Sequence, residues 1–226
     1  MRISVLGASG KVGAELLGQI EWDVDLTLDQ AISTGKPGSG MTALADAHLA
    51  NADVIVDFST PDATMALLDR LAGSDTAVVV GTTGFSEEEA ERLKSEGAGR
   101  PILVGANFTK GFEAFAAAAK ILARAVPDAR LTVGEVYNAR KKAAPSGTTM
   151  RLCGELGDNA ARAVEMDVQR IGDTPGVNTV TLDYGVASIR LELTVDSRAA
   201  YAAGALDAAR WLAGRPNGFY EPADML

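Results

Sequence analysis

The segment 134–150 combines cations with a hydroxyl-rich turn, and it reads GEVYNARKKAAPSGTTM. A Ser-Gly-Thr-Thr run that opens a helix presents backbone N–H groups and hydroxyls, which together favour a bound anion. Lys141 and Lys142 stand just upstream of this run and add positive charge. The pattern therefore predicts a loop that binds a carboxylate or a phosphate.

A second chemical pattern lies at the N-terminus, where an apolar run, RISVL, is followed by Gly7, Gly10 and Gly13. Their spacing is a variant of the dinucleotide-binding turn: the first glycine permits the tight turn, the second lets the backbone approach a pyrophosphate, and the third allows close helix–strand packing. A strand–turn–helix connection that needs glycine only for its geometry is the alternative. Because the chain continues β-α-β, we favour dinucleotide binding by Gly7, Ser9, Gly10, Lys11, Val12 and Gly13.

An acidic residue follows at the spacing expected for a ribose ligand. The run Val24–Leu28 predicts a second strand that ends at Asp29, where dinucleotide-binding folds hydrogen-bond the adenosine ribose. An arginine directly after the acid would favour a 2′-phosphate, but Gln30 stands there, and Lys36 lies further along a Gly-rich loop. Asp29 therefore favours NADH weakly, with NADPH left open.

Further strands are predicted at 53–58, 77–80 and 102–104, each followed by a turn or a helix start. Ser59, Thr60 and Pro61 are typical of a helix start, as is Ser86 ahead of three glutamates. In an open parallel sheet the carboxyl ends of the strands border the ligand crevice. We therefore expect a nicotinamide to be surrounded by Phe58, Thr82, Thr83, Gly84, Asn107 and Phe108.

After a helix predicted over Phe112–Ala125 the pattern changes to β-runs at 130–137, 164–171, 177–184 and 188–195, interrupted by one helix at 149–164. Strands without alternating helices suggest an α+β domain with a mixed sheet. A last helix, 199–213, is expected to return to the first domain. The predicted fold is α/β, with a Rossmann-like doubly wound parallel-sheet domain (1–107 and 198–226) and a smaller α+β substrate and oligomerisation domain (108–197).

Composition excludes several classes of protein. The formal net charge of −9 argues against a nucleic-acid surface, which needs clustered Lys and Arg. No run of about 18 apolar residues is present, so no membrane span is predicted. The only cysteine, Cys153, predicts neither an internal disulfide nor a thiolate metal site, and the only histidine, His48, is interpreted as a surface residue. A cytoplasmic protein without a metal is the expectation.

The motifs together resemble the 4-hydroxy-tetrahydrodipicolinate reductase (dihydrodipicolinate reductase) family, whose members reduce a cyclic imine or enamine with NADPH or NADH. The matching segments are GASGKVG, VDFSTP, VVGTTGF, ANFTKG, APSGT and SRAAYAAGALDAARWL. The resemblance implies that Gly7–Gly13 holds the pyrophosphate and Asp29 the ribose, and that Gly81–Gly84 with Ala106–Phe108 frames the nicotinamide. It also implies a homotetramer and substrate carboxylates bound by Lys141, Ser146, Gly147 and Thr148.

One segment departs from the family pattern E-x-H-H-x-x-K-x-D-A-P-S-G-T, in which the first His is commonly assigned as proton donor and the second contacts the substrate. Tyr137 and Asn138 occupy those two positions, and Ala143 replaces the acid. Val195 stands where the family has another histidine near the end of a late strand, and 172–176 replaces a longer Gly-rich region. Lys141 is retained.

These substitutions lead us to expect an NAD(P)H-dependent reductase of a small cyclic imine or enamine carboxylate with an altered substrate pocket. Its catalytic residues would be Tyr137 and Lys141: Tyr137 would donate the proton, and the Lys141 charge would lower the pKa of its hydroxyl. Alternatively, water would donate the proton in place of Tyr137. Asn138, Lys141, Ser146, Gly147 and Thr148 would bind the substrate. The alternatives are a non-redox enzyme (a cyclase, isomerase or dehydratase) or a silent subunit on the same fold, in a secondary-metabolite pathway.

Overall fold

The computed structural model describes residues 1–140, 144–160, 163–172 and 176–226, so the predictions for Lys141, Lys142 and Ala143 lie outside the described residues, as do those for 173–175. The chain divides into two compact units. The first comprises Met1–Lys110 and Arg198–Leu226, and the second comprises Gly111–Ser197.

Strands and helices alternate through the first part of the chain. The strands are β1 (Arg2–Leu6), β2 (Thr27–Ser33), β3 (Thr42–Ala43), β4 (Val54–Asp57), β5 (Ala77–Val80), β6 (Pro101–Val104), β7 (Arg130–Tyr137), β8 (Glu165–Arg170), β9 (Gly176–Asp183), β10 (Ser188–Val195) and β11 (Gly218–Tyr220). The helices are α1 (Lys11–Trp22), α2 (Pro61–Arg70), α3 (Glu87–Glu96), α4 (Phe112–Ala125), α5 (Gly147–Ala160) and α6 (Ala199–Leu212), with short 3₁₀ turns at Leu44–Asp46, Leu49–Asn51 and Pro222–Met225.

The first unit is a doubly wound sheet of order β11-β6-β5-β4-β1-β2-β3 in which every pairing is parallel. Its central strands β4, β5 and β6 are mostly apolar on both faces, as expected of a parallel sheet that is covered on both sides. One face packs on α1 and α6, with Leu16 and Leu206 in the core, and the other packs on α2 and α3, with Leu67 and Leu93. The strand order reverses between β1 and β4, which is where ligands bind in such sheets.

The second unit is a four-stranded mixed sheet of order β10-β9-β7-β8, in which β7 and β8 are parallel and the other pairs antiparallel. α4 and α5 cover one face, and their apolar side chains pack on alternate strand residues such as Leu131, Val133 and Val180. The predicted fold class, a Rossmann-like domain with a smaller α+β domain, is thereby confirmed. The predicted return of the last helix to the first unit is also confirmed, because α6 packs on α1, β4 and β5.

The predicted second strand was wrong in its limits. β2 begins at Thr27 and continues to Ser33, so Asp29 lies inside the strand and not at its end. Val24 is 96% exposed and outside the sheet, whereas Ala31 and Ile32 are buried alongside β1 and Ser33 is buried alongside β3. Pairing with β1 therefore sets the limits of β2. The strand includes two polar residues, Asp29 and Gln30, at a shift in the pairing register, and the hydropathy pattern does not reveal this shift.

Two short strands were not predicted. β3 adds two residues beside β2, and β11 pairs in parallel with β6 at the opposite edge. The sequence before β11, Arg215–Asn217, is typical of a terminal turn, and a strand of three residues carries too little alternation to be recognised.

Candidate cofactor and substrate sites

The turn between β1 and α1 has the geometry that its glycines predict. Gly7 has φ = +82°, and its carbonyl oxygen accepts a hydrogen bond from the Gly10 N–H at 2.8 Å. A Cβ on Gly13 would lie 2.2 Å from the Gly7 carbonyl oxygen. The conformational roles of the first and third glycines are thus confirmed. Contact of this turn with a pyrophosphate stays a prediction, as do the roles of Ser9, Lys11 and Val12.

The N-terminus of α1 is not capped by a side chain. Gly10 occupies the cap position and makes no side-chain hydrogen bond, and the first turn of the helix contains no acid. α2, in contrast, is capped by the Thr60 side chain, and α3 has a capping box between Ser86 and Glu89. The capping roles of Thr60 and Ser86 are therefore confirmed. The positive end of the α1 dipole faces the glycine turn with its N–H groups directed outward, as an anion site requires.

Phe58, which follows β4, contacts the loops that follow the neighbouring strands β1, β5 and β6. Its carbonyl oxygen lies against the Gly7 turn, where a Cβ on Gly7 would approach it to 2.4 Å. Its ring covers Gly81, where a Cβ would lie 2.3 Å from the ring, and it contacts Phe108 edge to face with centroids 5.7 Å apart. Phe58, Gly81 and Phe108, all predicted to surround a nicotinamide, thus lie together. Gly204 of α6 also permits this arrangement, since a Cβ there would meet the Phe108 carbonyl oxygen at 1.9 Å.

The remaining predicted nicotinamide residues lie in the same two loops. Thr82 is buried, whereas Thr83 and Gly84 are exposed, and Gly84 has φ = +91°. In the loop after β6, Ala106 is exposed and the Asn107 Oδ1 accepts the Thr109 N–H at 2.8 Å. Both loops follow the carboxyl ends of adjacent strands, β5 and β6, so the structure brings these residues to one edge of the sheet.

A buried carboxylate, Asp57, is hydrogen-bonded to residues of the loops at that edge of the sheet. Asp57, the last residue of β4, is fully buried, and its Oδ1 accepts hydrogen bonds from the Ser59 N–H (2.9 Å), the Ser59 Oγ (2.5 Å) and the Thr82 Oγ1 (3.2 Å). Its Oδ2 accepts from the Thr64 Oγ1 at 2.5 Å. Burial raises the pKa of Asp57 above its usual range, because the hydrogen bonds from Ser59, Thr64 and Thr82 do not offset the loss of solvation.

Asp29 does not lie at this edge. It lies within β2 at the register shift between Leu28 and Gln30, four residues, or roughly 13 Å, before the end of the strand. Its carboxylate is engaged by the Arg2 guanidinium and by the Ser4 Oγ at 3.2 Å, and its side chain is 5% exposed. Burial raises its pKa, but hydrogen bonds from Arg2, Gln30 and Ser4 outweigh burial, and the net pKa is lowered. Asp29 as a ribose ligand remains a prediction that this position does not favour.

In the second unit, the loop that was predicted to bind an external anion is hydrogen-bonded to the carboxylate of Glu135. Glu135 of β7 has a side chain that is 0% exposed. It accepts hydrogen bonds from the Ser146 N–H at 3.0 Å, from the Ser146 Oγ, from the Thr149 Oγ1 at 2.5 Å and from the Arg170 Nη2 at 2.7 Å. Ser146 also accepts the Thr149 N–H at 3.3 Å, which places its hydroxyl at the start of α5. Ser146 as a direct substrate ligand stays a prediction, and these hydrogen bonds do not favour it.

Glu135 differs from Asp57 in its ionisation. Burial raises the pKa of Glu135, but hydrogen bonds from Ser146, Thr149 and Arg170 outweigh burial, and the net pKa is lowered. The side chain is therefore an ionised carboxylate bound by a guanidinium and two hydroxyls. Such a charge-assisted cluster is strong when every member is satisfied.

The two residues at the family's histidine positions occupy different surroundings. Tyr137 is buried, its hydroxyl donates to the Asn178 Oδ1 at 3.0 Å, and its ring packs on Gly176 and under Arg170, whose guanidinium carbon is 5.6 Å from the ring centroid. Asn178 in turn donates to the Thr149 Oγ1 at 3.5 Å. Asn138 accepts the Arg140 N–H at 2.9 Å. Gly147 is exposed with open space around its Cα, and Thr148 is partly exposed. Their substrate roles stay predictions.

Sequence reasoning did not single out the buried polar residues Asp57, Glu135, Thr149, Arg170 and Asn178. Signals existed for two of them. Asp57 is a charge at the end of the apolar strand 54–57, and Glu135 lies among inward-facing apolar residues of β7. A charge in such a position is buried and must be paired or hydrogen-bonded. Among the residues that the structure describes, no cluster of His, Cys, Asp or Glu could hold a metal ion, and no helix is long and apolar enough to cross a membrane.

The glycine turn, the open helix end and the strand-end loops place the first unit in the dinucleotide-binding class of α/β domains. Two family models cover almost the whole chain: "Dihydrodipicolinate reductase, N-terminus" matches residues 1–108, and "Dihydrodipicolinate reductase, C-terminus" matches residues 111–226. The chain belongs to the dihydrodipicolinate reductase family. The prediction of NADH or NADPH as cofactor is confirmed at the level of this family.

Individual relatives agree. The 4-hydroxy-tetrahydrodipicolinate reductases of Alkalilimnicola ehrlichii and Burkholderia pseudomallei are 30% and 32% identical to this chain, cover all of it, and are themselves covered over 98% and 99% of their length. A dipicolinate-bound dihydrodipicolinate reductase from a Paenisporosarcina species superposes with a TM-score of 0.84 at 17% identity, over 100% of this chain and 99% of the other. The alignment with the Alkalilimnicola protein spans 266 positions, so that relative carries about 40 residues that this 226-residue chain lacks.

Proposed function

We propose that this protein is an NAD(P)H-dependent reductase of a small cyclic imine or enamine that carries a carboxylate. The observation that carries the proposal is the turn formed by Gly7, Gly10 and Gly13 at the uncapped start of α1, which we call the glycine cradle. It lies beside the point where the strand order of the sheet reverses. A Cβ at Gly7, Gly13 or Gly81 would lie 2.2–2.4 Å from atoms of Gly7 or Phe58, so the geometry of the turn and of the Phe58 ring requires glycine there. Members of the family are named as reductases, which supports an oxidoreductase.

The residues of the cradle suit a dinucleotide. The N–H groups at the start of α1 and the exposed Ser9 and Lys11 would bind the pyrophosphate, since a helix N-terminus and a nearby cation both favour negative charge. The Phe58 ring and the loops 81–84 and 106–108 would border the nicotinamide. When bound, the reduced nicotinamide supplies a hydride to the substrate.

We propose NADPH as the preferred cofactor, in place of the weak preference for NADH that Asp29 suggested. β2 ends at Ser33, which is buried. Thr34, Gly35 and Lys36 follow it, and the next acid in the chain is Asp46. Hydroxyls and a cation suit a 2′-phosphate, whereas a ribose 2′-hydroxyl is usually bound by a carboxylate at this position. Titration of nicotinamide fluorescence should give a lower Kd for NADPH than for NADH.

Lys36→Ala tests this preference. It should raise the Kd for NADPH about tenfold, because one charge-assisted contact is lost, and leave the Kd for NADH unchanged. Lys94→Ala is the matched control, since Lys94 lies on α3 and pairs with Glu91. An equal effect of Lys36→Ala on both nucleotides would contradict the assignment.

In the second unit, Lys141, Asn138, Gly147 and Thr148 are proposed to bind the substrate carboxylate. Ser146 would act by holding the loop through Glu135 more than by direct contact, because its N–H and hydroxyl are already bound. Tyr137 directs its hydroxyl to Asn178, so we propose that water supplies any proton that the product needs. An imine nitrogen that is already protonated requires no acid, and a neighbouring hydrogen-bond acceptor then suffices.

Oxidation of NADPH, followed at its nicotinamide absorbance, tests the activity with cyclic imino acids that include 4-hydroxy-tetrahydrodipicolinate. The expected result is turnover with at least one carboxylated member of the panel. Lys141→Ala should then raise the KM for that substrate strongly, while Lys142→Ala, its neighbour, should change it less. Cofactor binding without oxidation of any member would favour a cyclase, isomerase or dehydratase.

A second copy of this chain is the proposed partner. The face of the four-stranded sheet that is opposite α4 and α5 carries small and β-branched residues, among them Thr132, Val136, Val177, Thr179 and Thr181, which are buried or partly buried. Such a face suits packing against a like sheet. Light scattering should give a mass that is a multiple of the 23.4 kDa chain. A homotetramer and a cytoplasmic location stay predictions.

A further inference from the structure

Hydrogen bonds from three side chains converge on one buried carboxylate at the cofactor edge of the sheet. The two oxygens of Asp57 are used differently. Oδ1 binds the Ser59 N–H, the Ser59 hydroxyl and the Thr82 hydroxyl, whereas Oδ2 binds the hydroxyl of Thr64. The Ser59 N–H is shared, because it also lies 2.9 Å from the Thr82 Oγ1.

The Oδ1 donors belong to the loops that border the proposed nicotinamide position. Ser59 adjoins Phe58 in the connection after β4, and Thr82 follows Gly81 after β5. The shared hydrogen bonds thus tie one loop to the other. Phe58 is fixed between them, with its carbonyl oxygen against Gly7 and its ring against Gly81. The Oδ2 donor, Thr64, lies in α2 and is fully buried, and its hydroxyl also lies 3.1 Å from the Thr60 carbonyl oxygen at the start of that helix.

Asp57 itself cannot contact a cofactor at this edge, because it is fully buried. A carboxylate suits the position, since it offers about four acceptor sites and no donor. The donors that meet it are a backbone N–H and three hydroxyls, which match that capacity. Any effect of this residue on the cofactor must therefore pass through Ser59 and Thr82.

We propose that Asp57 is a positioning residue for the cofactor: by binding Ser59 and Thr82 on one oxygen, it fixes the two loops that hold Phe58 and Gly81 against the nicotinamide. This role rests on the proposed function. It extends the cofactor site to a residue that no direct contact would reveal.

A double-mutant cycle with Asp57→Ala and Thr82→Val tests the role, with the Kd for NADPH measured by nicotinamide fluorescence. Asp57→Asn is the conservative variant: its amide nitrogen can donate to the Thr64 hydroxyl, which can pass its own proton to the Thr60 carbonyl oxygen 3.1 Å away, while its amide oxygen still accepts from Ser59 and Thr82, so its Kd should stay within about twofold of that of the unmodified chain. Asp57→Ala and Thr82→Val should each raise the Kd about tenfold, since displaced loops no longer match the ligand. The double variant should raise it about tenfold as well, not about a hundredfold, because both changes break the same contact.

Thr64→Val is the matched control. It also removes one hydroxyl from Asp57, so it should lower the Tm, but it should leave the Kd within about twofold because Oδ2 does not bind the cofactor loops. Additive effects in the cycle would mean that Thr82 acts without Asp57, and an equal rise in Kd for Thr64→Val would mean that Asp57 contributes only general stability. Either result overturns the role. If the unmodified chain binds neither NADPH nor NADH, the proposed function itself fails.

Discussion

Two helices, α1 of the first unit and α5 of the second, begin in opposite ways. α1 starts at a glycine turn without a capping side chain, whereas α5 starts beside Ser146, whose N–H and hydroxyl are bound by Glu135. An uncapped N-terminus can accept an external anion, and a filled one cannot accept it at the same groups. The same sequence signal, small and hydroxyl residues ahead of a helix, therefore accompanies an open helix end, our proposed ligand site, in one unit and an internal cluster in the other.

The buried carboxylates of the two units differ in the same sense. Glu135 has a guanidinium partner, Arg170, and its pKa is lowered. Asp57 is bound by hydroxyls and one backbone N–H, its pKa is raised, and no lysine or arginine of the described residues forms an ion pair with it. One cluster holds a loop by charge and the other by hydrogen bonds alone, so the two should respond differently to mutation and to pH.

The largest effect is expected when the charged cluster is broken. Glu135→Gln should lower the free energy of unfolding by about 3 kcal/mol, because it removes one partner of a buried ion pair and weakens the hydrogen bonds of Ser146 and Thr149. Urea titration followed by far-UV circular dichroism measures this. Asp183→Asn is the control, since its ion pair with Arg130 is exposed to solvent and its loss should cost far less. Equal losses in the two variants would contradict the charged cluster.

The second prediction concerns pH and follows from the raised pKa of Asp57. Above its ordinary value of 3.8 and up to the raised value, the folded state holds a proton that the unfolded state has released. Stability should therefore fall as pH rises through this window, by up to about 1.4 kcal/mol per pH unit. Asp57→Asn should lack this slope. Unfolding followed by tryptophan fluorescence reports on this unit, because Trp22 and Trp211 both lie in it.

Glu135 should show the opposite slope. Its lowered pKa means that its contribution is present above 4.5, the ordinary value, and is lost as pH falls through the folded-state pKa. The difference in stability between the unmodified chain and Glu135→Gln should therefore shrink on acidification. A difference that grows as pH falls would show that the carboxylate is not ionised in the fold.

Tyr137→Phe is expected to have a smaller effect. Loss of the hydroxyl bound to Asn178 should cost about 1 kcal/mol of stability. Because that hydroxyl is engaged inside the unit, turnover should fall far less than the 10²–10⁴-fold typical of a lost general acid. Asn178→Ala is the matched variant, since it removes the acceptor and leaves the hydroxyl. A loss of turnover in the full range for Tyr137→Phe alone would identify Tyr137 as the proton donor.

Sequence patterns predicted the fold well because strands and helices of both units bury continuous or periodic apolar residues. The limits of β5, α4, β7 and β10 agree with the prediction. β2 was misplaced because its register is set by pairing with β1, and pairing partners are not visible in a local pattern. The same error placed Asp29 at the end of the strand. Its spacing from Gly7 suits a ribose ligand, but it lies inside β2 and not at the edge of the sheet where ligands bind.

The glycine roles could be predicted because each depends on local backbone geometry, as the left-handed φ of Gly7 shows. The clusters around Asp57 and Glu135 could not, since they join residues far apart in sequence, such as Asp57 with Thr82 and Glu135 with Arg170. The local pattern therefore predicts a ligand-binding hydroxyl at Ser146, although its nearest anion is a side chain of the same unit. The local sequence thus identified Ser146 as an anion-binding residue, but only the fold shows that the anion it binds is Glu135.

The smallest effects should separate the two kinds of glycine within α1 and α5. Gly18 and Gly154 are exposed helix residues, and a methyl group added at either would have no other atom within 4 Å. Gly18→Ala and Gly154→Ala should therefore each raise the free energy of unfolding by about 0.5–1 kcal/mol. Gly13→Ala, in the same helix as Gly18, should instead lower stability and raise the Kd for NADPH, because its methyl group would lie 2.2 Å from the Gly7 carbonyl oxygen. Urea titration and nicotinamide fluorescence measure both quantities. If Gly13→Ala leaves the Kd unchanged while Gly18→Ala raises it, the open end of α1 is not where the dinucleotide binds.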